Sequence, residues 1–340
     1  LIFYVGLNPF IGQLILYFRN LIRLINNYQT LILLIYSYLM ILFKENFKWG
    51  VFLRQLIILA LIGLAAQLID GSLGMAYGVT STSLLLLLGI SPAIASASVH
   101  MAEVVTTAAS GISHIRFGNT DKQVVYKLII PGSIGAFIGA FFLGSIPGDI
   151  IKPYVSFFLL ILGFYVIYRF MFIKFHPSQQ QSKKILGKKH FVPLGFIAGF
   201  FDSVGGGGWG PIATPVLLTS NQMEPRKVIG SVDTSEFVIA VSSTLGFLLT
   251  LGWEQIHLQW VVALMIGGII AAPIAAWLVK IIPVNLLGTL VGGIIIMTNI
   301  RTLLGVFDAS PTIYVYTYLV LAILWLAALV HVIMKRRKML

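Results

Sequence analysis

The 340-residue sequence has no cysteine and very little charge: Asp, Glu, Lys and Arg together make up 10% of it. Without cysteine there are no disulfides, thiolate metal sites or cysteine nucleophiles. The shortage of charge excludes an ordinary water-facing surface, since soluble domains carry about 25% charged residues. Six scattered histidines offer no metal-ligand spacing. No HExxH motif and no phosphate loop with its lysine is present, and a Ser–His–Asp set can only be assembled arbitrarily. The chain therefore reads as a non-enzyme with no cofactor and no metal site. A strong polar–apolar alternation is also missing, which favours helices over a β-barrel.

What fills the sequence is apolar. Hydrophobic residues make up 58% of the chain, and several runs reach the roughly 20 residues needed to cross a bilayer. The fold class expected is an all-α polytopic membrane protein in contact with lipid. The net charge of +12 sits mostly in short loops, where Lys and Arg orient a membrane protein. No basic patch lies on a polar face, so nucleic acid is not an expected partner.

Helices are expected at 29–44, 52–69, 79–89, 91–115, 123–145, 150–173, 191–201, 211–220, 226–251, 257–280, 284–305 and 312–334. Residues 1–50 form an extension of different composition, read either as one extra helix or as a misplaced start with translation beginning near Met40. Residues 51–173 form a first transmembrane repeat, 174–190 a basic linker, 191–305 a second repeat, and 306–340 a last helix and basic tail. Lys174, Lys183, Lys184, Lys188 and Lys189 in the linker, and Lys335, Arg336, Arg337 and Lys338 in the tail, predict that both face the cytoplasm. That placement is consistent if the interrupted segments enter and leave on one side. Each repeat then has an odd number of crossings and the two are inverted. Lys44, Lys48 and Arg54 are the exceptions.

The repeat is written in the residues. Ser98-Val99-His100-Met101-Ala102-Glu103 recurs as Ser231-Val232-Asp233-Thr234-Ser235-Glu236. Upstream, Asp70 opens a segment containing Gly71, Gly74 and Gly78, and Asp202 opens one containing Gly205 to Gly208 and Gly210. Asp70 and Asp202 are 132 positions apart, Glu103 and Glu236 133. A duplicated unit with broken helices and buried acids is a common build of secondary transporters.

Glycines this dense cost about 1 kcal/mol each inside a helix, so each segment reads as a break followed by a helix start, with Pro211 at a first helical position. A helix start offers unpaired N–H groups and a positive dipole end, which attract anions. Thr80, Ser81, Thr82 and Thr214 add hydroxyls, and Gly74, Gly78, Gly206 and Gly210 leave room for the backbone to approach a ligand. The plainer reading is that the glycines only let helices pack closely.

Asp70, Glu103, Asp202, Asp233 and Glu236 fall in apolar stretches, where a charge costs at least roughly 2.5–3.5 kcal/mol. His100 and Glu103 share a helix face, as do Asp233 and Glu236. Each pair is suited to carry a proton or line a cavity. The plainer readings are capping for Asp70 and Asp202 and interhelical hydrogen bonds for Glu103 and Glu236. Ser98 and Ser231 gain interest only from their symmetry, and His114 reads as interfacial.

The stretch from about Leu59 through Leu304 resembles the TauE/SafE (TSUP) family of sulfite and organosulfur anion exporters. The residues that carry the resemblance are Asp70-Gly71 with the glycines through Gly78, Ser98-Val99-His100 with Glu103, the glycine run ending Gly210-Pro211, and Ser231-Val232-Asp233 with Glu236. Arg169 and Arg301 close the two repeats in similar places. The resemblance implies a two-repeat helical membrane protein that moves small anions. Together with the residues it predicts a small-anion secondary transporter of the cytoplasmic membrane, with proton coupling through the buried acids. An anion channel on the same fold, a membrane-embedded enzyme and a non-transport subunit are the rival readings.

Overall fold

The computed structural model describes residues 53–70, 75–172, 188–219, 223–278 and 284–337. The expected helix at 29–44, most of the linker, and Gly71 and Gly74 lie outside the described residues. The chain divides between Gln55 and Leu56 into two units, and the second, Leu56–Leu340, holds both glycine breaks and all five of the acids named above.

All described elements are helical. In chain order they are α1 (Leu53–Asp70), α2 (Tyr77–Leu87), α3 (Pro92–Arg116), α4 (Lys122–Ser145), α5 (Gly148–Phe172), α6 (Lys188–Gly205), α7 (Trp209–Thr219), α8 (Pro225–Leu251), α9 (Leu258–Leu278), α10 (Val284–Val306) and α11 (Pro311–Arg337). A single 3₁₀ turn, Trp253–Gln255, precedes α9. Among the described residues six helices, α1, α4, α5, α8, α10 and α11, are long and apolar enough to cross a membrane. Outward-facing side chains such as Phe141, Phe157, Ile161 and Phe164 are large and apolar, as a lipid-facing surface requires.

Close helix packing rests on small residues. On α4, a Cβ at Gly135 would run into the Phe196 carbonyl of α6, and one at Gly139 into that of Phe200. From the other side, a Cβ at Gly199 would strike the Gly132 carbonyl. The same device recurs 132 positions away. Gly267 of α9, counterpart of Gly135, faces the Ala60 carbonyl of α1, and Gly63, counterpart of Gly195, faces that of Leu264. Backbones this close gain van der Waals contact where lipid offers no hydrophobic drive. Around this frame α3 packs on α8 and α5 on α10, so each of these helices meets its own counterpart.

The two short helices follow the glycine breaks; α2 spans Tyr77–Leu87 rather than 79–89, which puts Gly78 inside its first turn, and the second break departs from the sequence-based expectation in two ways. First, α6 does not stop at 201 but continues through Gly205. Within that extension the Ser203 hydroxyl donates to the Ala136 carbonyl of α4 at 2.7 Å. Second, α7 starts at Trp209, so Pro211 is its third residue rather than its first. A proline is tolerated there because the opening N–H groups of a helix have no intrahelical partner.

Ahead of α2, Ala76 adopts a left-handed backbone, φ 94°. An alanine there is strained by about 1–2 kcal/mol, and a glycine would not be. Ala76→Gly is therefore expected to stabilise the purified protein by about 1 kcal/mol, read as a raised midpoint of thermal unfolding. A lowered midpoint would contradict the strained turn.

Candidate functional site

Two aspartates build the centre, each at the end of a long helix and each holding the start of a short one. Asp202 Oδ1 accepts from the N–H groups of Gly208 at 2.7 Å and Trp209 at 2.8 Å, the entrance of α7. Asp70 Oδ1 accepts from the Tyr77 N–H at 3.3 Å, the entrance of α2. Capping is thus what both aspartates do. One consequence bears on the anion reading: the N–H groups of Tyr77, Gly208 and Trp209 are already held by the chain's own carboxylates.

The two breaks meet at their backbones. A Cβ at Gly78 would collide with the Gly206 carbonyl, come within 2.6 Å of Gly207 Cα and within 3.0 Å of Glu103 Oε1. Thr82 Oγ1 donates to the Gly206 carbonyl at 3.0 Å. Gly206 sits at φ 66°, a region open to glycine at no steric cost. Thr214 is the counterpart of Thr82 at the same offset of 132, and Gly74, the counterpart of Gly206, lies outside the described residues. Gly210 is buried in the first turn of α7.

Around this crossing, polar groups are buried with no hydrogen-bond partner among the described residues. They include the hydroxyls of Thr80, Ser81, Ser98 and Thr214, and Glu103 Oε2. Unsatisfied buried polar atoms are rare, and each calls for a ligand, water or ion to explain it. Ser231 differs from its counterpart Ser98: its hydroxyl accepts from the Asp121 N–H at 2.8 Å and ties α8 to the start of α4.

Charge is distributed unequally between the halves. His100 is fully buried, with Nε2 3.1 Å from Asp202 Oδ2 and Nδ1 2.8 Å from the Ser96 carbonyl. Both ring nitrogens face acceptors, the arrangement of an imidazolium. In the second half Asp233 stands where His100 stands in the first. It lies 3.8 Å from His114 Nε2 of α3. Glu236 lies on α8, one turn after Asp233. His100 and Asp202 thus form a buried pair between α3 and α6. Among the described residues no three His, Asp or Glu side chains are placed to hold a metal ion together.

The sequence-based reading missed Ser96 and Ser203. The Ser96 hydroxyl donates to the Ser203 carbonyl at 2.6 Å, joining α3 to α6 beside the His100–Asp202 pair. Ser96 lies one turn before His100 and Ser203 follows Asp202, so spacing alone pointed at them. It missed too that His114 is the neighbour of Asp233.

The sequence matches the family described as "Sulfite exporter TauE/SafE" over residues 59–302. It is 59% identical over 283 residues to a protein of Bacillus subtilis (strain 168) named "Probable membrane transporter protein YtnM", covering 83% of this chain and 94% of that one. No solved structure matches the chain. The family match includes both glycine breaks and all five of the acids named above, and the chain is a multi-pass membrane protein of the TauE/SafE transporter family.

Proposed function

We propose that this protein is a secondary transporter of small anions, of the sulfite or organosulfur type, in the cytoplasmic membrane. The two repeats are inverted, α1–α2 and α6–α7 are re-entrant hairpins, and the linker and C-terminal tail face the cytoplasm. The observation that carries the reading is the backbone crossing of Gly78 on Gly206 and Gly207, with the hydroxyls of Thr80 and Ser81 buried in the turn that follows Gly78. Because Asp70 and Asp202 hold the N–H groups of Tyr77, Gly208 and Trp209, the anion is taken by hydroxyls one turn into α2 and α7 rather than by the bare helix ends. Rocking of one repeat against the other about this crossing would expose it alternately to the two sides.

The same centre supports proton coupling. The carboxyl groups of Asp70, Glu103, Asp202, Asp233 and Glu236, of which Glu103 and Asp202 are buried, outnumber the single imidazole, and the excess is compensated by protons when an anion occupies the site. A carrier that admits an anion among carboxyl groups must bring protons with it.

The test is counterflow in proteoliposomes loaded with sulfite, sulfate, thiosulfate, taurine or lactate, at two pH values. Saturable exchange of one class is the expected result. Absence of exchange for all five, with the protein shown to be folded, would refute the carrier. Flux that rises without saturating would indicate a channel instead. Glu236→Gln is expected to lower coupled exchange by on the order of 100-fold, the scale of losing a positioned proton-transfer group, and to flatten its pH dependence. An unchanged pH profile would remove Glu236 from the mechanism.

A further inference from the structure

Away from the crossing, a cavity of about 460 Å³ opens where the C-terminal end of α2 meets the first turns of α5 and α11 and the last turns of α10. Its polar lining is Asp149 and Lys152 of α5, Arg301 and Thr302 of α10, and Tyr314 of α11. Its size is that of a small-molecule site. We infer that this cavity is a second binding site, for a small oxyanion, placed in series with the crossing of the two broken helices. The binding site stands on its own geometry; its serial placement rests on the transport reading above.

Three observations carry the inference. First, two cations line one cavity. Among the described residues neither Lys152 nor Arg301 makes an ion pair or a side-chain hydrogen bond. Asp149 brings the net lining charge to +1. A site on a route must attract its ion yet release it, and two donors tempered by one acid suit that.

Second, Arg301 differs from its counterpart. Arg169 lies 132 positions earlier, at the end of α5. It is 3% exposed, lies against Phe170 and has Tyr165 beside it. Arg301 is exposed and faces the cavity. The same position in the two repeats is thus sealed into protein in one and open to a ligand in the other. A guanidinium open in this way matches an oxyanion by paired N–H donors.

Third, the cavity and the crossing sit at opposite ends of one helix. Thr80 and Leu87 both belong to α2, about 10 Å apart at 1.5 Å per residue. Polar side chains lie between them: Asn299 Nδ2 donates to Ser83 Oγ at 2.8 Å, both are buried, and Asn299 Oδ1 has no partner. Asn299 stands two residues before Arg301. An amide and a hydroxyl thus lie on the contact of α2 with α10, between the cavity and the turn of Thr80 and Ser81.

The experiment titrates the full-length purified protein with sodium sulfate by calorimetry, in neutral detergent and in vesicles with and without phosphatidylglycerol. Arg301→Gln and Lys152→Gln are each expected to weaken sulfate binding about tenfold or more, as loss of one charge-assisted contact does. Arg301→Lys should recover part of that loss. In exchange assays the two Gln variants should raise KM and hold the maximal rate within about twofold, because saturating anion refills the cavity. Sulfate bound equally well by both variants would overturn the site, as would a fall in maximal rate at unchanged KM. A loss of affinity confined to phosphatidylglycerol vesicles would assign the cations to a lipid headgroup and overturn it as well. Arg301-dependent binding without exchange of any anion would retain the site and refute the transport reading.

Discussion

Asp202→Ala is expected to destabilise the protein by about 3–5 kcal/mol, the cost of removing one partner from a buried ion pair, and to abolish exchange. The substitution takes two things at once. His100 keeps its burial and loses the carboxylate 3.1 Å from Nε2. The N–H groups of Gly208 and Trp209 lose the oxygen that starts α7. Asp202→Asn separates these losses, since its amide oxygen still accepts at the helix start while the charge opposite His100 is gone. It should therefore fold better than the alanine variant and still fail in exchange. Asp70→Ala serves as the internal comparison. Among the described residues Asp70 makes one bond, of 3.3 Å to Tyr77, and removing a lone cap costs about 1 kcal/mol. Thermal unfolding of the three variants checks the order. Equal losses for Asp70→Ala and Asp202→Ala would mean that the His100 pair contributes nothing.

Gly78→Ala is expected to abolish exchange and to cost about 1–3 kcal/mol, the usual range for overpacking a tight interior. The new methyl group meets the Gly206 carbonyl and Gly207 Cα, which are backbone and cannot swing aside. The crossing must open, and Thr82 must give up its bond to Gly206. Gly118→Ala is the control. Gly118 has φ 67° but nothing within 4 Å of an added Cβ, so it carries only the local backbone cost of about 1–2 kcal/mol and should exchange normally. Retention of full exchange by Gly78→Ala would move the transport site away from the crossing.

Much of this was legible in the residues. Composition alone placed the chain in a membrane, because too few charges exist to cover a soluble surface. The breaks at Gly71–Gly78 and Gly205–Gly210 were legible because glycine density opposes a helix wherever it occurs. The ends of the breaks were not, since α6 continues through Gly205 and the partner of Ser203 within that extension, Ala136, is 67 positions away. Capping by Asp70 and Asp202 was one of two readings of a charged residue before a helix start. Only the distances to Gly208, Trp209 and Tyr77 show that it holds for both.

The sequence by itself determined that the chain is a helical membrane protein, and it displayed the glycine-dense segments and the acids that accompany them. These are properties of composition and of spacing along one chain. Helical periodicity also put His100 with Glu103, and Asp233 with Glu236, on shared faces. Tertiary structure decided which groups meet across helices: His100 with Asp202, Asp233 near His114, Gly78 against Gly206. The reason is geometric. Periodicity fixes the face a side chain occupies on its own helix, but not the depth or angle at which another helix crosses it. That crossing is set by glycines such as Gly135 and Gly199 on distant segments, and it brings side chains more than a hundred positions apart within a hydrogen bond of each other.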